Sequence, residues 1–151
     1  MDTDVKFQRR VWTAQRIGWI VIGSVIVAAL SGLFGTGPLS RASARGPGLQ
    51  LEYERFGRLQ QPMKLRCLVS GKKSGTQIAL SRGYLESVHL EEITPRAEQV
   101  EAAGEWVVYR FTGPAPMTVT FNLKPEEFGS LTGAVRIPDS EAIAFRQFIY
   151  P

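Results

Sequence analysis

Cysteine and histidine are almost missing from this 151-residue chain, which has one of each, Cys67 and His89. A single cysteine excludes an intrachain disulfide, so any folded domain here rests on its apolar core. A Cys/His zinc site needs three or four ligands, and no spacing supplies them. A serine or cysteine nucleophile with an imidazole base would have to recruit His89. The G-x-S-x-G, calcium-loop and N-x-[ST] patterns are also absent, and no internal repeat or low-complexity tract is evident. "GKKSGT" (71–76) lacks the order of a phosphate loop and reads as a hairpin turn. The sequence therefore predicts neither an enzyme nor a cofactor or metal site.

A basic excess is also missing from most of the chain, although the net charge is +4. Residues 1–45 hold Lys6, Arg9, Arg10, Arg16, Arg41 and Arg45 against Asp2 and Asp4, which accounts for the whole excess. The remaining basic and acidic residues cancel, which argues against a nucleic-acid surface. The charges flank a membrane-type segment instead.

That segment runs from Ile17 to Gly35 without a charge and is broken only by Ser24 and Ser31. As a helix it would be about 28 Å long, close to the hydrocarbon thickness of a bilayer. It has no polar face, as a soluble core helix would, and Trp12, Trp19 and Phe34 lie near its ends. We read it as an uncleaved single-pass anchor. The A-x-A pattern Ala42-Ser43-Ala44 is the rival, a signal-peptide cleavage site, but it lies far beyond an unusually long apolar run. Arg9-Arg10 does not extend to a twin-arginine signal. The more basic N-terminal flank predicts the N-terminus inside and the rest outside the cytoplasmic membrane. Residues 5–16 read equally as an interfacial helical lead-in or a solvated tail. Ser24, Ala28 and Gly32 recur every four residues, a spacing that allows close helix packing and that spans also show by chance.

The expected organisation is a cytoplasmic segment at 1–16, a transmembrane helix at 17–35, a Gly/Pro/Ser-rich linker at 36–48 and a β domain at 49–151. Within the domain the apolar period changes to two. Leu49, Leu51 and Tyr53 form one alternating run, Met63 to Val69 a second, and Met117 to Leu123 the cleanest. Further strands are expected at 76–81, 84–93, 105–112, 132–137 and 143–150. Trp106 to Phe111 is apolar on both faces and should lie inside a sheet, and Pro95–Ala103 is the one stretch expected to hide a helical turn. The predicted fold is thus one transmembrane α-helix followed by an all-β domain, an antiparallel immunoglobulin-like sandwich of about seven to eight strands.

Cys67 is in phase with Met63, Leu65 and Val69 and reads as core. His89 should face outward. The neighbours Glu91 and Glu92 should face opposite ways in a strand, and Glu126 and Glu127 follow Pro125 in a loop, so neither pair suits acid/base work. "LEYERFGR" interleaves Tyr53 and Phe56 with Glu52, Glu54, Arg55 and Arg58. It reads either as a solvated edge strand or as a partner-docking surface. "AFRQFIYP" should be a last strand held in the sandwich.

The chain resembles uncharacterised bacterial single-pass membrane proteins with an extracytoplasmic β domain. The resemblance rests on "RIGW" (16–19) opening the span, "GPLS" (37–40), "LEYERF" (51–56) and the closing "QFIYP" (147–151). It implies a bacterial source and a tethered outer domain, but no activity. The reading that follows is a membrane-anchored protein-interaction module, an accessory subunit of a membrane complex. Its partners would be the lipid bilayer and another membrane protein or a second copy. The alternative is a binding module for a small molecule, lipid or envelope polymer.

Overall fold

The strict alternation from Met117 to Leu123 is the spine of the domain. In this computed structural model it becomes a nine-residue strand in the middle of a sheet. The structure describes residues 2–30, 40–71 and 75–151, with side chains from Trp12 onward. Two compact units divide the chain at Ser40/Arg41.

The described residues of the N-terminal unit form a helix, α1 (Asp2–Leu30). Within it Trp12–Leu30 is long and apolar enough to cross a membrane, at a mean hydropathy of 1.6, and none of it is buried. A signal sequence can share these dimensions. Residues 5–16 belong to this helix. Arg16 lies over the Trp12 ring, 5.3 Å from its centroid, one turn away. The Ser24 hydroxyl donates to the Ile20 carbonyl at 2.8 Å, which satisfies it within its own helix. Gly32, the third residue of the small-residue stripe, lies outside the described residues, as do Phe34 and most of "GPLS".

The second unit is a two-sheet sandwich. Its strands are β1 (Arg41–Gly46), β2 (Leu49–Glu54), β3 (Phe56–Arg58), β4 (Met63–Val69), β5 (Thr76–Ser81), β6 (Val88–Thr94), β7 (Gln99–Ala103), β8 (Trp106–Phe111), β9 (Met117–Pro125), β10 (Gly129–Arg136) and β11 (Ile143–Tyr150). One sheet has the order β1-β2-β4-β9-β6 and the other β3-β11-β10-β5-β8-β7. Most strands put alternate apolar residues into one shared core, with Leu51, Leu65, Cys67, Phe121, Ile78, Leu80 and Val135 fully buried, whereas β7 is exposed throughout. Aromatic pairs bridge the sheets: Tyr109 to Phe121 and Tyr53 to Phe145, both at 5.3 Å between centroids.

Several expectations are corrected. Among the described residues there are eleven strands rather than seven or eight, and the six-stranded sheet is mixed, because β3 runs parallel to β11. The first strand starts at Arg41, inside the stretch read as a linker. Gly-Pro-Gly there is a hairpin turn: Arg45↔Gln50 and Gly46↔Leu49 pair across Pro47-Gly48, and Gly48 has φ +73°, as the second turn position requires. Small alanines hide the alternation of β1 (buried Ala42, half-buried Ala44). The short helix is not at 95–103, where β7 lies, but at α2 (Arg82–Glu86), where the sequence predicts the start of a strand. One turn there swings Tyr84 into the core. β2 is not an edge strand, since β1 covers it. β8 lies inside its sheet and β11 is held between β10 and β3, as the sequence indicates.

A buried polar chain ties the sheets together. The Tyr84 hydroxyl donates to Gln147 Oε1 at 2.7 Å, and Gln147 Nε2 donates to the Glu54 carbonyl at 2.9 Å. Tyr84 also meets Phe145 edge-on at 4.9 Å. This chain couples α2, β11 and the end of β2, where the two candidate surfaces meet.

Candidate functional surfaces at the β2–β3 crossover

In the sequence, Glu52 to Arg58 reads as one surface. The structure divides it between the two sheets. β2 ends at Glu54, the chain crosses at Arg55, and β3 starts at Phe56 in the opposite sheet. The crossover is fixed by hydrogen bonds to β11: Phe148 N–H to the Arg55 carbonyl at 2.7 Å and Leu59 N–H to the Tyr150 carbonyl at 2.8 Å.

On the five-stranded sheet, Leu51 pairs with Cys67 in the core, so the outward neighbours Glu52 and Arg66 are forced opposite each other. Arg41 pairs with Glu54, and Ser43 with Glu52. The result is a concave groove of about 440 Å³, lined by Arg41, Ser43, Glu52, Tyr53, Glu54, Lys64 and Arg66. Arg66 Nη1 and Glu52 Oε2 are 3.4 Å apart, both about half exposed, so their pairing adds at most about 1 kcal/mol. Glu54 is half-buried. Burial pushes its carboxyl above the usual carboxylate range, against the pull of the Arg41 and Lys64 charges. The groove thus presents three cationic and two carboxylate groups on rigid strands, a pattern suited to a charged partner surface rather than an apolar ligand.

On the six-stranded sheet, β3 and β11 place Phe56 beside Phe148 and Arg58 beside Tyr150. Phe56, Phe148 and Tyr150 are 49%, 51% and 40% exposed, and Phe128, just before β10, is 73% exposed. Among the described residues of the β domain, only Val100 is another large apolar side chain so exposed. Arg55, Arg58 and Arg146 are exposed around them. The sequence carries a signal for this face: in "AFRQFIYP" the buried set Phe145, Gln147 and Ile149 leaves Arg146, Phe148 and Tyr150 on the other side. Phe128 has no periodic partner to mark it.

The residues weighed for chemistry lie elsewhere and apart. Cys67 is fully buried and its thiol is pushed up to about 12 by burial, far from nucleophilic. His89 is exposed on β6 opposite Lys124. Glu91 and Glu92 do not face opposite ways: the register slips between Leu90 and Glu92, and this bulge leaves both exposed. Glu91 faces Lys124 at 3.8 Å and Glu92 accepts from Asn122 at 3.4 Å. Glu126 and Glu127 are exposed in the β9–β10 turn. Among the described residues no three His, Cys, Asp or Glu groups converge as a metal site.

No family model matches the sequence, and no curated protein matches it. Among solved structures, a cohesin module from a Clostridium perfringens family 33 glycoside hydrolase is 12% identical, with 69% of this chain aligned to 96% of that one at a TM-score of 0.48. A non-cellulosomal cohesin from the archaeon Archaeoglobus fulgidus is 10% identical over 66% of this chain and 88% of its own, at 0.41. A superoxide reductase from Ignicoccus hospitalis is 16% identical over 70% and 82%, at 0.40. Likeness at this level says nothing about activity.

Proposed function

We propose that the chain is a membrane-anchored interaction module of a bacterial envelope, an accessory subunit whose β domain stands outside the cytoplasmic membrane. α1 is its uncleaved single-pass anchor with the N-terminus inside. The groove between Arg41, Glu52, Glu54, Lys64 and Arg66 receives a partner membrane protein.

The observation that carries the anchor is the place of Ala42-Ser43-Ala44. These residues form half of β1, paired residue by residue with Leu51, Glu52 and Tyr53, and Ala42 is buried. Cleavage after Ala44 would strip most of a strand from the sheet and uncover β2, which counts against a cleavage site there and supports the anchor reading. The mixed-charge groove supports the partner role: charge patterns of both signs select a complementary surface and penalise wrong ones. The rival reading, a binding module for a small molecule, lipid or polymer, has the groove's volume in its favour, since it falls in the range of ligand pockets. Its five charged lining residues count against an apolar ligand.

Gentle detergent solubilisation of the native membrane, followed by mass spectrometry of co-purifying proteins, tests this. We expect a stoichiometric membrane protein that is lost on reversing Lys64→Glu and Arg66→Glu together, while the intact mass of the chain retains residues 1–44. A chain that purifies alone, or that is trimmed at Ala44, overturns the reading.

A further inference from the structure

The aromatic–arginine face on the six-stranded sheet is absorbed by neither the core nor the groove. Phe56, Phe148, Tyr150 and Phe128 are its apolar members, and Arg55, Arg58 and Arg146 are its charges. We propose that this face docks on the headgroup layer of the bilayer that holds α1, so that the domain lies on the membrane with its groove turned away. The inference rests on the anchor reading but not on the identity of the partner protein.

Three observations point to lipid. The first is covalent reach. Arg41, the first residue of the domain, pairs with Glu54, which is separated from Phe56 only by Arg55. The aromatic face and the groove, which Arg41 and Glu54 line, thus both lie close to the point where the chain enters the domain. From Leu30 to Arg41 the chain cannot span more than about 40 Å even when fully extended. Once α1 is in the bilayer, the domain stays within that reach of the headgroup layer. The second is chemistry. Aromatic rings with an adjacent ring of arginines match the headgroup region, where amphipathic aromatics settle and guanidinium groups meet lipid phosphates. The outward positions of β3, β10 and β11 carry Arg58, Arg136 and Arg146 and no carboxylate. Glu126 and Glu127 lie in the turn before Phe128, and Glu54 precedes Arg55 on the groove side. The third is disposition. The groove lies on the outer surface of the other sheet, so a domain resting on Phe56 and Phe148 presents Arg41, Lys64 and Arg66 to the outside.

The test uses the full chain in nanodiscs of phosphatidylethanolamine and phosphatidylglycerol. A fluorophore is attached at Phe128→Cys or, as a reference, at Glu101→Cys in β7, the opposite edge of the same sheet. Cys67 stays unlabelled because it is buried. With nitroxide-headgroup lipids in the disc, the label at 128 should be quenched several-fold more than the label at 101. Phe56→Ser with Phe148→Ser should abolish the difference while the near-ultraviolet spectrum of the domain stays unchanged. Equal quenching at the two positions in a chain that does enter the nanodisc overturns the lipid face alone. Equal quenching in nanodiscs, with protection of the label at 128 only in native membranes, assigns the face to a protein and also overturns it. A chain that fails to enter the nanodisc overturns this inference and the anchor together, whereas the co-purification experiment reports on the partner independently.

Discussion

Replacing Tyr84 by phenylalanine should destabilise the β domain although every apolar contact of the ring remains. The hydroxyl is the hydrogen-bond donor to Gln147 Oε1, and Gln147 is 1% exposed, so the amide oxygen would be left in the core without a partner. A buried acceptor stranded in this way costs about 1–3 kcal/mol. Gln147→Leu strands two groups, the tyrosine hydroxyl and the Glu54 carbonyl at the other end of the chain, and should cost about 2–4 kcal/mol by the same reasoning. The double variant strands only the Glu54 carbonyl. Its loss should therefore fall short of the sum of the two single losses by two stranded groups, about 2–4 kcal/mol, a coupling that only directly interacting groups show. For a domain of this size each kcal/mol corresponds to about 4 °C in Tm. The measurement is urea denaturation of the full chain in non-ionic detergent. It is followed through Trp106, the tryptophan of the β domain, which sits on β8 beneath the Arg136 guanidinium. Single-variant losses below about 0.5 kcal/mol, or strictly additive losses, would mean that the hydroxyl and amide are satisfied by something else, and the polar tie between the sheets would be refuted.

The other expectations concern separate parts of the fold. Cys67, buried with its thiol raised to about 12, should resist maleimide at pH 8 in the native chain and react fully in denaturant; fast native labelling would contradict the core. Gly133→Ala should cost about 1–3 kcal/mol by overpacking, because the added methyl would press into the rings of Phe145 and Tyr84; an unchanged denaturation midpoint would show that those rings can move aside. Burial raises the Glu54 carboxyl in the folded state, so the native domain holds that proton more tightly than the unfolded chain. Stability from this group is present at low pH and lost as pH rises from the unfolded value of 4.5 through the higher folded one. Glu54→Gln should remove that downward step from a pH series of denaturation midpoints, and a step that persists would place it on another group. Arg66→Ala should change stability by no more than about 1 kcal/mol, since its pairing with Glu52 is half exposed; a larger loss would mean that the groove is a structural element.

What the amino-acid sequence determined by itself is everything that depends on short-range periodicity. An uncharged run of about bilayer length can satisfy its backbone in lipid only as a helix, so α1 is legible from residue order alone. Strict alternation at Met63–Val69 and Met117–Leu123 specifies both the strands and which residues enter the core, because a strand turns successive side chains to opposite faces. The buried Cys67 and the outward His89 follow from the same rule.

Tertiary structure decided what depends on pairing between distant segments. β1 is invisible in the sequence because alanines mark a buried face weakly, and Gly-Pro-Gly belongs equally to a linker and to a hairpin turn. Only the pairing with β2 separates the two. α2 escapes detection because a single turn is too short to show a period of 3.6, and the bulge at Glu91 shifts the face of Glu92 in a way no alternation rule carries. The two surfaces are the clearest case. Glu52 and Arg58 are six positions apart, but the chain changes sheets between them. One joins Ser43 and Arg66 across strand register, and the other joins Tyr150 from the last strand. Neighbours within a strand are set by the local backbone, whereas neighbours across a sandwich are chosen by register and by which edge each strand takes, and those choices are made by the core as a whole.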